Sequence, residues 1–329
     1  MNRNVKEPSL LGSARVGPRS TADRPGDVTL RALLSLLLLS LMPILAGCLS
    51  FHQGPLPNEP RTATFANVLG TRVRYVDVGQ GPAVVMIHGF ASSLETWDGV
   101  LPELAKTHRV LALDLKGFGW TDRPEGDYSP EAQARIVFAL MEQRGIDRAA
   151  FVAHSWGASV ALAAALQSPE RISRLALYDA WVYEEQLPTA FHWARAQGLG
   201  EAIFAAFYNE RPEDKIALAF FDKRFVTNEL VDAVERALDR PGSTAAALAA
   251  VRGQRYAAVQ ARYRTIVQPT LLLWGREDVV TPLKYGERLV NDLVKAKLVV
   301  YPRCGHFPMI EARHQSDADL QAFLAEPAP

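Results

Sequence analysis

The feature of this sequence that most restricts its fold is a series of short, almost wholly apolar runs separated by segments with helical periodicity. Strands with helices on both faces of a parallel sheet have this composition. Residues 72–78 alternate instead, which is typical of an antiparallel edge strand. The sequence therefore predicts an α/β protein with a doubly wound, mostly parallel sheet. The apolar runs lie at 83–88, 110–114, 150–153, 175–178, 270–274 and 298–301.

The alternation of strands and helices stops near residue 180 and resumes near residue 268. Residues 181–267 show helical patterns and no buried strand, so we expect a helical insertion within a core made of 62–180 and 268–329. Ligands of doubly wound sheets bind beyond the carboxyl ends of the strands. An insertion at that edge would cover the site as a cap.

The N-terminus has the features of a targeting segment. Six basic residues precede an apolar run at 32–44, which ends in Leu45-Ala46-Gly47-Cys48. This tetrapeptide resembles the lipobox of bacterial lipoproteins, which implies a signal peptide at 1–47 and lipid on Cys48. The alternative is an uncleaved anchor, because residues 32–49 approach the roughly 17 to 20 residues that span a bilayer. Residues 48–61 contain three prolines and predict a tether.

The lipobox resemblance also implies a location. A lipid on Cys48 would hold the protein on a membrane of the bacterial cell envelope, with the membrane as its partner. In lipoproteins of bacteria with two membranes, a residue other than Asp after the cysteine implies transport to the outer membrane. Leu49 occupies that position.

Composition argues against several other classes of function. Lys plus Arg and Asp plus Glu both number 36, so the chain has no excess positive charge for nucleic acid. Its two cysteines do not form a disulfide framework, and no Cys and His cluster has zinc-binding spacing. No phosphate-binding loop occurs. We therefore expect no metal or organic cofactor, and the oligomeric state stays open.

A serine at a strand–helix junction is the candidate nucleophile. Ser155 follows the apolar run at 150–153 and precedes an Ala-rich helical segment, in the sequence Ala153-His154-Ser155-Trp156-Gly157. A sharp turn at such a junction lifts a serine hydroxyl above the sheet, and small residues two positions before and after let strand and helix approach. The usual first glycine is Ala153 here. The alternative is that Ser155 only caps the helix, since serine is a preferred N-cap residue.

The candidate acid and base each follow a later strand. Asp278 lies after the run at 270–274, and His306 follows the run at 298–301. Serine needs a base to accept its proton, and a carboxylate can orient the histidine and stabilise its cation. Glu277 and Asp179 are the competing acids. Strand-end aspartates more often stabilise loops, which disfavours Asp179.

Taken together, these motifs resemble the α/β-hydrolase superfamily. The segments Trp274-Gly275-Arg276-Glu277-Asp278 and Gly305-His306-Phe307-Pro308 carry the resemblance, as does the order serine, acid, histidine. It covers about residues 70–325. It implies the α/β-hydrolase fold, with the backbone N–H groups of Phe90 and Trp156 as the oxyanion hole. His88, before Gly89 and Phe90, is expected to have a structural role.

The expected function is that of a serine hydrolase, with Ser155, His306 and Asp278 as the catalytic triad. The first expectation for its substrate is a small carboxylic ester, cleaved through an acyl-enzyme. The alternatives are C–C bond hydrolysis of a diketone, amide cleavage or acyl transfer by the same triad. A non-catalytic binding lipoprotein is a further alternative, disfavoured because no triad member is missing.

Overall fold

The structure is a computed structural model that describes residues 49–327. The proposed signal peptide at 1–47 and the proposed lipid attachment site, Cys48, lie outside the described residues. Within 49–327, no helix is both long enough and apolar enough to cross a bilayer. The predicted fold class is confirmed, because these residues form a mostly parallel sheet flanked by helices.

Eight strands form one sheet in the order β1-β2-β4-β3-β5-β6-β7-β8. The pairs β1–β2 and β2–β4 are antiparallel, and the other five are parallel. The carboxyl ends of β3 to β8 therefore meet at one edge. The strands are β1 (Thr64–Val68), β2 (Thr71–Val78), β3 (Ala83–Ile87), β4 (Arg109–Leu113), β5 (Ala149–His154), β6 (Ile172–Tyr178), β7 (Thr270–Gly275) and β8 (Ala296–Tyr301).

Helices cover both faces of the sheet, so successive residues of a strand enter different apolar clusters. In β3, Val85 and Ile87 pack with one cluster, whereas Val84 and Met86 pack with the other. This two-sided burial explains the apolar runs of the sequence. The α-helices are α1 (Leu101–Leu104), α2 (Pro130–Gln143), α3 (Trp156–Gln167), α4 (Thr189–Ala194), α5 (Leu199–Phe207), α6 (Pro212–Ala219), α7 (Asn228–Leu238), α8 (Ser243–Gly253), α9 (Lys284–Asp292), α10 (Pro308–Glu311) and α11 (Arg313–Ala325).

The segment between β6 and β7 contains α4 to α8 and no strand among the described residues. Its helices pack around a small apolar cluster that includes Phe204 and Leu248. The segment touches the edge where the strands end. The His306 N–H donates to the Ala219 carbonyl at 2.7 Å, and the ring of Phe191 lies 5.8 Å from that of Phe90. The insertion therefore lies against the candidate active site as a cap.

The described part of the expected tether, residues 49–61, packs on the core instead of standing free. His52 exchanges two backbone hydrogen bonds with Arg123, at 2.8 and 2.9 Å. Phe51 stacks on Tyr128, and Leu56 is only 4% exposed. Its proline content predicts an extended segment. It does not predict whether that segment packs against other parts of the chain.

Candidate active site

The turn between β5 and α3 places Ser155 in a strained conformation. Its φ of 52° lies in the left-handed region, which costs a residue other than glycine roughly 1 to 3 kcal/mol. Backbone hydrogen bonds hold the turn. The Ser155 N–H donates to the Tyr178 carbonyl at 2.9 Å, and the Ser155 carbonyl accepts from Trp181 at 3.1 Å. The Ser155 hydroxyl does not cap α3, so helix capping does not account for a serine here.

Gly157 lets α3 begin directly against β3. A Cβ atom at this position would lie 2.4 Å from the His88 carbonyl oxygen and 2.6 Å from that of Ile87. Any larger residue would therefore push the helix away from the strand. The close approach brings the N-terminus of α3 beside the loop that follows β3, where Phe90 lies.

Two backbone N–H groups at this junction are available to a ligand. Phe90 follows β3, and Trp156 is the first residue of α3. Among the described residues, neither N–H donates to a backbone carbonyl. Their aromatic rings pack edge to face with centroids 6.1 Å apart. The two residues implied as the oxyanion hole thus lie together, with their donors free.

His306 and Asp278 form a buried pair. The distance between His306 Nδ1 and Asp278 Oδ2 is 2.8 Å, and each residue is 5% exposed. The other carboxylate oxygen, Oδ1, accepts the N–H groups of Val280 and Thr281 at 2.7 and 3.0 Å. Since Asp278 Oδ2 accepts a hydrogen bond from Nδ1–H, the Nε2 atom of His306 is left as the base.

The electrostatics of the pair keep Asp278 ionised. Burial alone would raise its pKa, because a charged carboxylate is poorly solvated in the interior. Attraction to His306 and hydrogen bonds from His306 and Thr281 outweigh this effect and hold the pKa of Asp278 below its ordinary value. Asp278 therefore carries its negative charge at neutral pH.

His154 brings the loop of His306 close to Ser155. Its Nε2 lies 2.8 Å from the His306 carbonyl oxygen, and the two rings have centroids 4.7 Å apart. Burial, and then the neighbouring His306, lower the pKa of His154 well below its ordinary value, so its ring is neutral. The sequence analysis gave His154 no role. Its position directly before the candidate nucleophile was the available signal.

Thr281 is a second residue that the sequence analysis missed. Its hydroxyl donates to Asp278 Oδ2 at 2.5 Å and lies 3.3 Å from His306 Nδ1. The side chain is completely buried. A hydroxyl three residues after the acid was the only sequence signal for it. Thr281 therefore helps to fix the carboxylate that orients the base.

The competing acids take other positions. Glu277 points away from the base and accepts the Cys304 N–H at 3.0 Å, so it holds the loop after β8. Asp179 lies beside the pair instead. It is fully buried, and its Oδ1 accepts the Gly275 N–H at 2.9 Å. Among the described residues, Asp179, Asp278 and His306 each offer a polar side-chain atom within 4.8 Å of the others.

His88 links the loops that follow β3 and β4. The Leu115 N–H donates to its Nε2 at 2.9 Å, so the proton is on Nδ1, which lies 2.7 Å from the Gly89 carbonyl oxygen. The ring is completely buried. These contacts fix the loop that carries Phe90.

A cavity of about 770 Å3 lies at the junction of cap and core. Tyr128, Ser159, Arg252 and Tyr256 are among the residues that line it, and none of Ser155, Asp278 and His306 does. We place the candidate active site at Ser155 because the strained turn lies there and because His154, directly before it, contacts the loop of the acid–base pair.

Comparison with known proteins identifies the family of this chain. Residues 82–313 match a family described as having the alpha/beta hydrolase fold. The chain belongs to the α/β-hydrolase family. This hydrolase is 31% identical over 283 residues to 2-hydroxymuconate semialdehyde hydrolase of Pseudomonas sp. strain CF600, covering 82% of this chain and 96% of that protein.

Two further relatives have similar names. The 2-hydroxy-6-oxo-2,4-heptadienoate hydrolase of Pseudomonas putida is 32% identical over 268 residues, which cover 78% of this α/β-hydrolase and 94% of the relative. A crystal structure of a meta-cleavage product hydrolase from Pseudomonas fluorescens IP01, in complex with acetates, superposes with a TM-score of 0.71. That pair is 28% identical, and the match covers 80% of this chain and 97% of the other.

The contacts of Thr281 generate a test of the acid–base pair. Thr281→Val keeps the side-chain shape and removes the hydroxyl donor to Asp278, whereas Thr281→Ser keeps the donor. A lost hydrogen bond to a charged group costs about 1.5 kcal/mol. We therefore expect Thr281→Val to slow labelling of Ser155 by a fluorescent organophosphonate about tenfold. Thr281→Ser should stay within about threefold of the parent. Equal rates for the two variants would show that the hydroxyl does not support the pair.

Proposed function

We propose that this chain is a serine hydrolase in which Ser155 is the nucleophile, His306 the general base and acid, and Asp278 the residue that orients His306. The observations that carry the proposal are a strained serine, a buried histidine–carboxylate pair whose loop contacts the residue directly before that serine, and two N–H groups without a backbone partner among the described residues. Each part of this set has a role in attack on a carbonyl group.

The reaction begins when the Ser155 hydroxyl attacks the carbonyl carbon of the substrate and His306 Nε2 takes its proton. The carbonyl oxygen becomes an anion, which the N–H groups of Phe90 and Trp156 can stabilise by about 3 kcal/mol each. Collapse of the tetrahedral intermediate breaks the bond to the leaving group. The histidine then returns the proton to the leaving group, and water hydrolyses the acyl-enzyme by the same steps.

We propose that the bond broken is the C–C bond beside the ketone of a small 2-hydroxy-6-oxo-dienoate. Relatives that share about a third of the sequence over most of both chains are named for such substrates. In this reaction the leaving atom is carbon. Transfer of the 2-hydroxyl proton to C5 must come first, because it gives a 2-oxo group conjugated to the carbon that leaves. The electron pair of the broken C5–C6 bond can then delocalise to the 2-oxo oxygen as a dienolate, and His306 returns its proton to that oxygen.

The surroundings of Ser155 suit a flat, conjugated substrate. The ring of Phe90 packs against Phe118, Trp156 and Phe191, with centroid distances of 5.5, 6.1 and 5.8 Å. Phe118 and Phe191 come from the loop after β4 and from the cap, respectively. Aromatic side chains bury flat apolar ligands well and stack on conjugated groups.

Ester cleavage is the second candidate. It was the first expectation from the sequence, and the same residues would perform it with an alkoxide as the leaving group. An alkoxide is a better leaving group than a carbanion, so the triad needs no additional feature for this reaction. The two candidates therefore differ in the substrate that fits between Ser155 and the cap.

A substrate panel with the purified residues 49–329 separates the candidates. We expect kcat/KM for a 2-hydroxy-6-oxo-dienoate to exceed that for p-nitrophenyl butyrate and for a matching anilide at least about tenfold. Ser155→Ala should lower kcat/KM for the preferred substrate at least about a thousandfold. Ser168→Ala, at the other end of α3, is the control and should leave it unchanged. Faster turnover of the ester would favour ester hydrolysis, and full activity of Ser155→Ala would exclude the assigned nucleophile.

We also propose that lipid on Cys48 attaches the protein to the bacterial cell envelope, at the outer membrane. The lipobox resemblance supports this proposal. The packing of residues 49–61 also determines where such a lipid would lie. Leu49 contacts the apolar cluster of the cap, so a lipid on the preceding residue would hold the cap close to the membrane surface.

Metabolic labelling with a clickable palmitate analogue tests the lipid attachment. The full-length parent, expressed in a bacterium, should take up the label and sediment with membranes. Cys48→Ser should lose the label, because the thiol that carries the lipid is gone. Cys304→Ala removes the other, buried cysteine and should keep the label. Label retained by Cys48→Ser, or a mature protein that does not begin at Cys48, would contradict lipidation.

A further inference from the structure

Asp179 is a buried carboxyl group whose second oxygen has no donor. The residue follows β6 and is 0% exposed, with a φ of 43° in the left-handed region. Its Oδ1 accepts the Gly275 N–H. Its Oδ2 is buried and has no hydrogen-bond partner among the described residues if the carboxyl is ionised. A buried carboxylate oxygen without a donor is costly, so the ionised form is disfavoured here.

The groups that face Asp179 do not supply a compensating positive charge. Asp278 lies on the β7 side, Cys304 on the β8 side and Glu311 on α10. The nearby His306 already pairs with Asp278. Two carboxylates in one buried site cannot both be ionised at low cost, so one of them keeps a proton.

The hydrogen bonds decide which carboxyl group keeps the proton. Asp278 accepts from His306, from the Thr281 hydroxyl and from two backbone N–H groups, all of which favour its charged form. Asp179 accepts from one N–H. Burial, and then the Asp278 carboxylate, raise the pKa of Asp179 well above its ordinary value.

A proton on Asp179 also gives its unpaired oxygen a partner. An Oδ2–H group is a donor, and the Asp278 carboxylate is a neighbouring acceptor. We propose that Asp179 is protonated at neutral pH and donates a hydrogen bond to Asp278, as a fourth and positioning member of the group Ser155, His306 and Asp278. It acts through Asp278 and does not touch the substrate.

This inference rests on the proposed triad and predicts how the triad titrates. A donor on Asp278 draws negative charge away from His306 and fixes the carboxylate. Loss of the donor would leave more negative charge beside the imidazolium, and the protonated base would then persist to higher pH. An ionised Asp179 would act in the opposite way, since removal of its charge would destabilise the imidazolium.

Two substitutions separate these cases. Asp179→Asn keeps the shape, the acceptor for Gly275 and an N–H donor for Asp278, whereas Asp179→Ala removes all three. The readout is the rate constant for organophosphonate labelling of Ser155 as a function of pH, which needs no knowledge of the substrate. We expect the labelling rate constant of Asp179→Asn to stay within about threefold of that of the parent. The acid limb of its pH–rate profile should have the same midpoint as in the parent. Asp179→Ala should be at least about tenfold slower, with the midpoint of that limb at higher pH.

Other outcomes would overturn the proposal. A midpoint that falls by a unit or more in Asp179→Asn would show that Asp179 is ionised in the parent. Unmoved midpoints in both variants would show a role in packing alone. Asp147→Asn, at an exposed position before β5, is the control and should change neither rate nor midpoint.

An infrared measurement tests the proton independently of catalysis. The parent should show the C=O band of a protonated carboxyl group at pH values where ordinary carboxyl groups are ionised. Asp179→Asn should lack this band, and Asp147→Asn should keep it. Absence of the band from the parent at neutral pH would overturn the proposal even if no variant folds. If the parent is not labelled by the phosphonate, the triad is wrong, and the infrared band still decides the state of Asp179.

Discussion

The close approach of α3 to β3 is the constraint on which the site depends. The helix can begin at the edge of the sheet only because Gly157 has no side chain where the His88 and Ile87 carbonyl groups lie. This contact forces the chain through the strained conformation of Ser155. The same contact brings Trp156, the first residue of α3, beside the loop that carries Phe90. One backbone contact thus positions both the candidate nucleophile and the donors for an oxyanion.

The site depends, second, on how the protein accommodates buried carboxyl groups. Asp278 stays charged because a histidine, a hydroxyl and two N–H groups surround it. Asp114 is also fully buried, and it pairs with Arg74 while accepting the N–H groups of Leu94 and Trp120. Asp278 thus has four donors and Asp114 three. Asp179 has one donor and a second oxygen without a partner, which suggests a proton.

The fold and the main motifs were predictable because their signals are local. A buried strand is apolar along its length, and the segments around Ser155, Asp278 and His306 follow strands in the expected order. The contacts of His154, Thr281 and Asp179 were not predictable in the same way. The contacts of His154 and Asp179 join residues that lie far apart in sequence. Thr281 lies three residues after Asp278, but polar side chains in loops carry no periodic signal.

The packing of the segment at residues 49–61 was not predictable from its composition either. Prolines near residues 55–60 correctly indicate that the segment is not a helix, but they do not show whether an extended chain is packed. Its pairing with Arg123 and the burial of Leu56 depend on the surface that the rest of the chain forms. The substrate is also a property of the assembled site. The same triad can serve several reactions, so sequence motifs alone favoured an ester, whereas relatives that match about four fifths of the chain are named as hydrolases of a dienoate or a semialdehyde.

The most direct test of this account is a crystal structure of the protein after reaction with a small organophosphonate. The adduct is a stable mimic of the tetrahedral intermediate. We expect phosphorus bonded to Ser155 Oγ, with one phosphonyl oxygen about 2.7 to 3.1 Å from the backbone nitrogens of both Phe90 and Trp156. A phosphonyl oxygen turned away from both N–H groups, or an adduct on another residue, would contradict the assignment of the site.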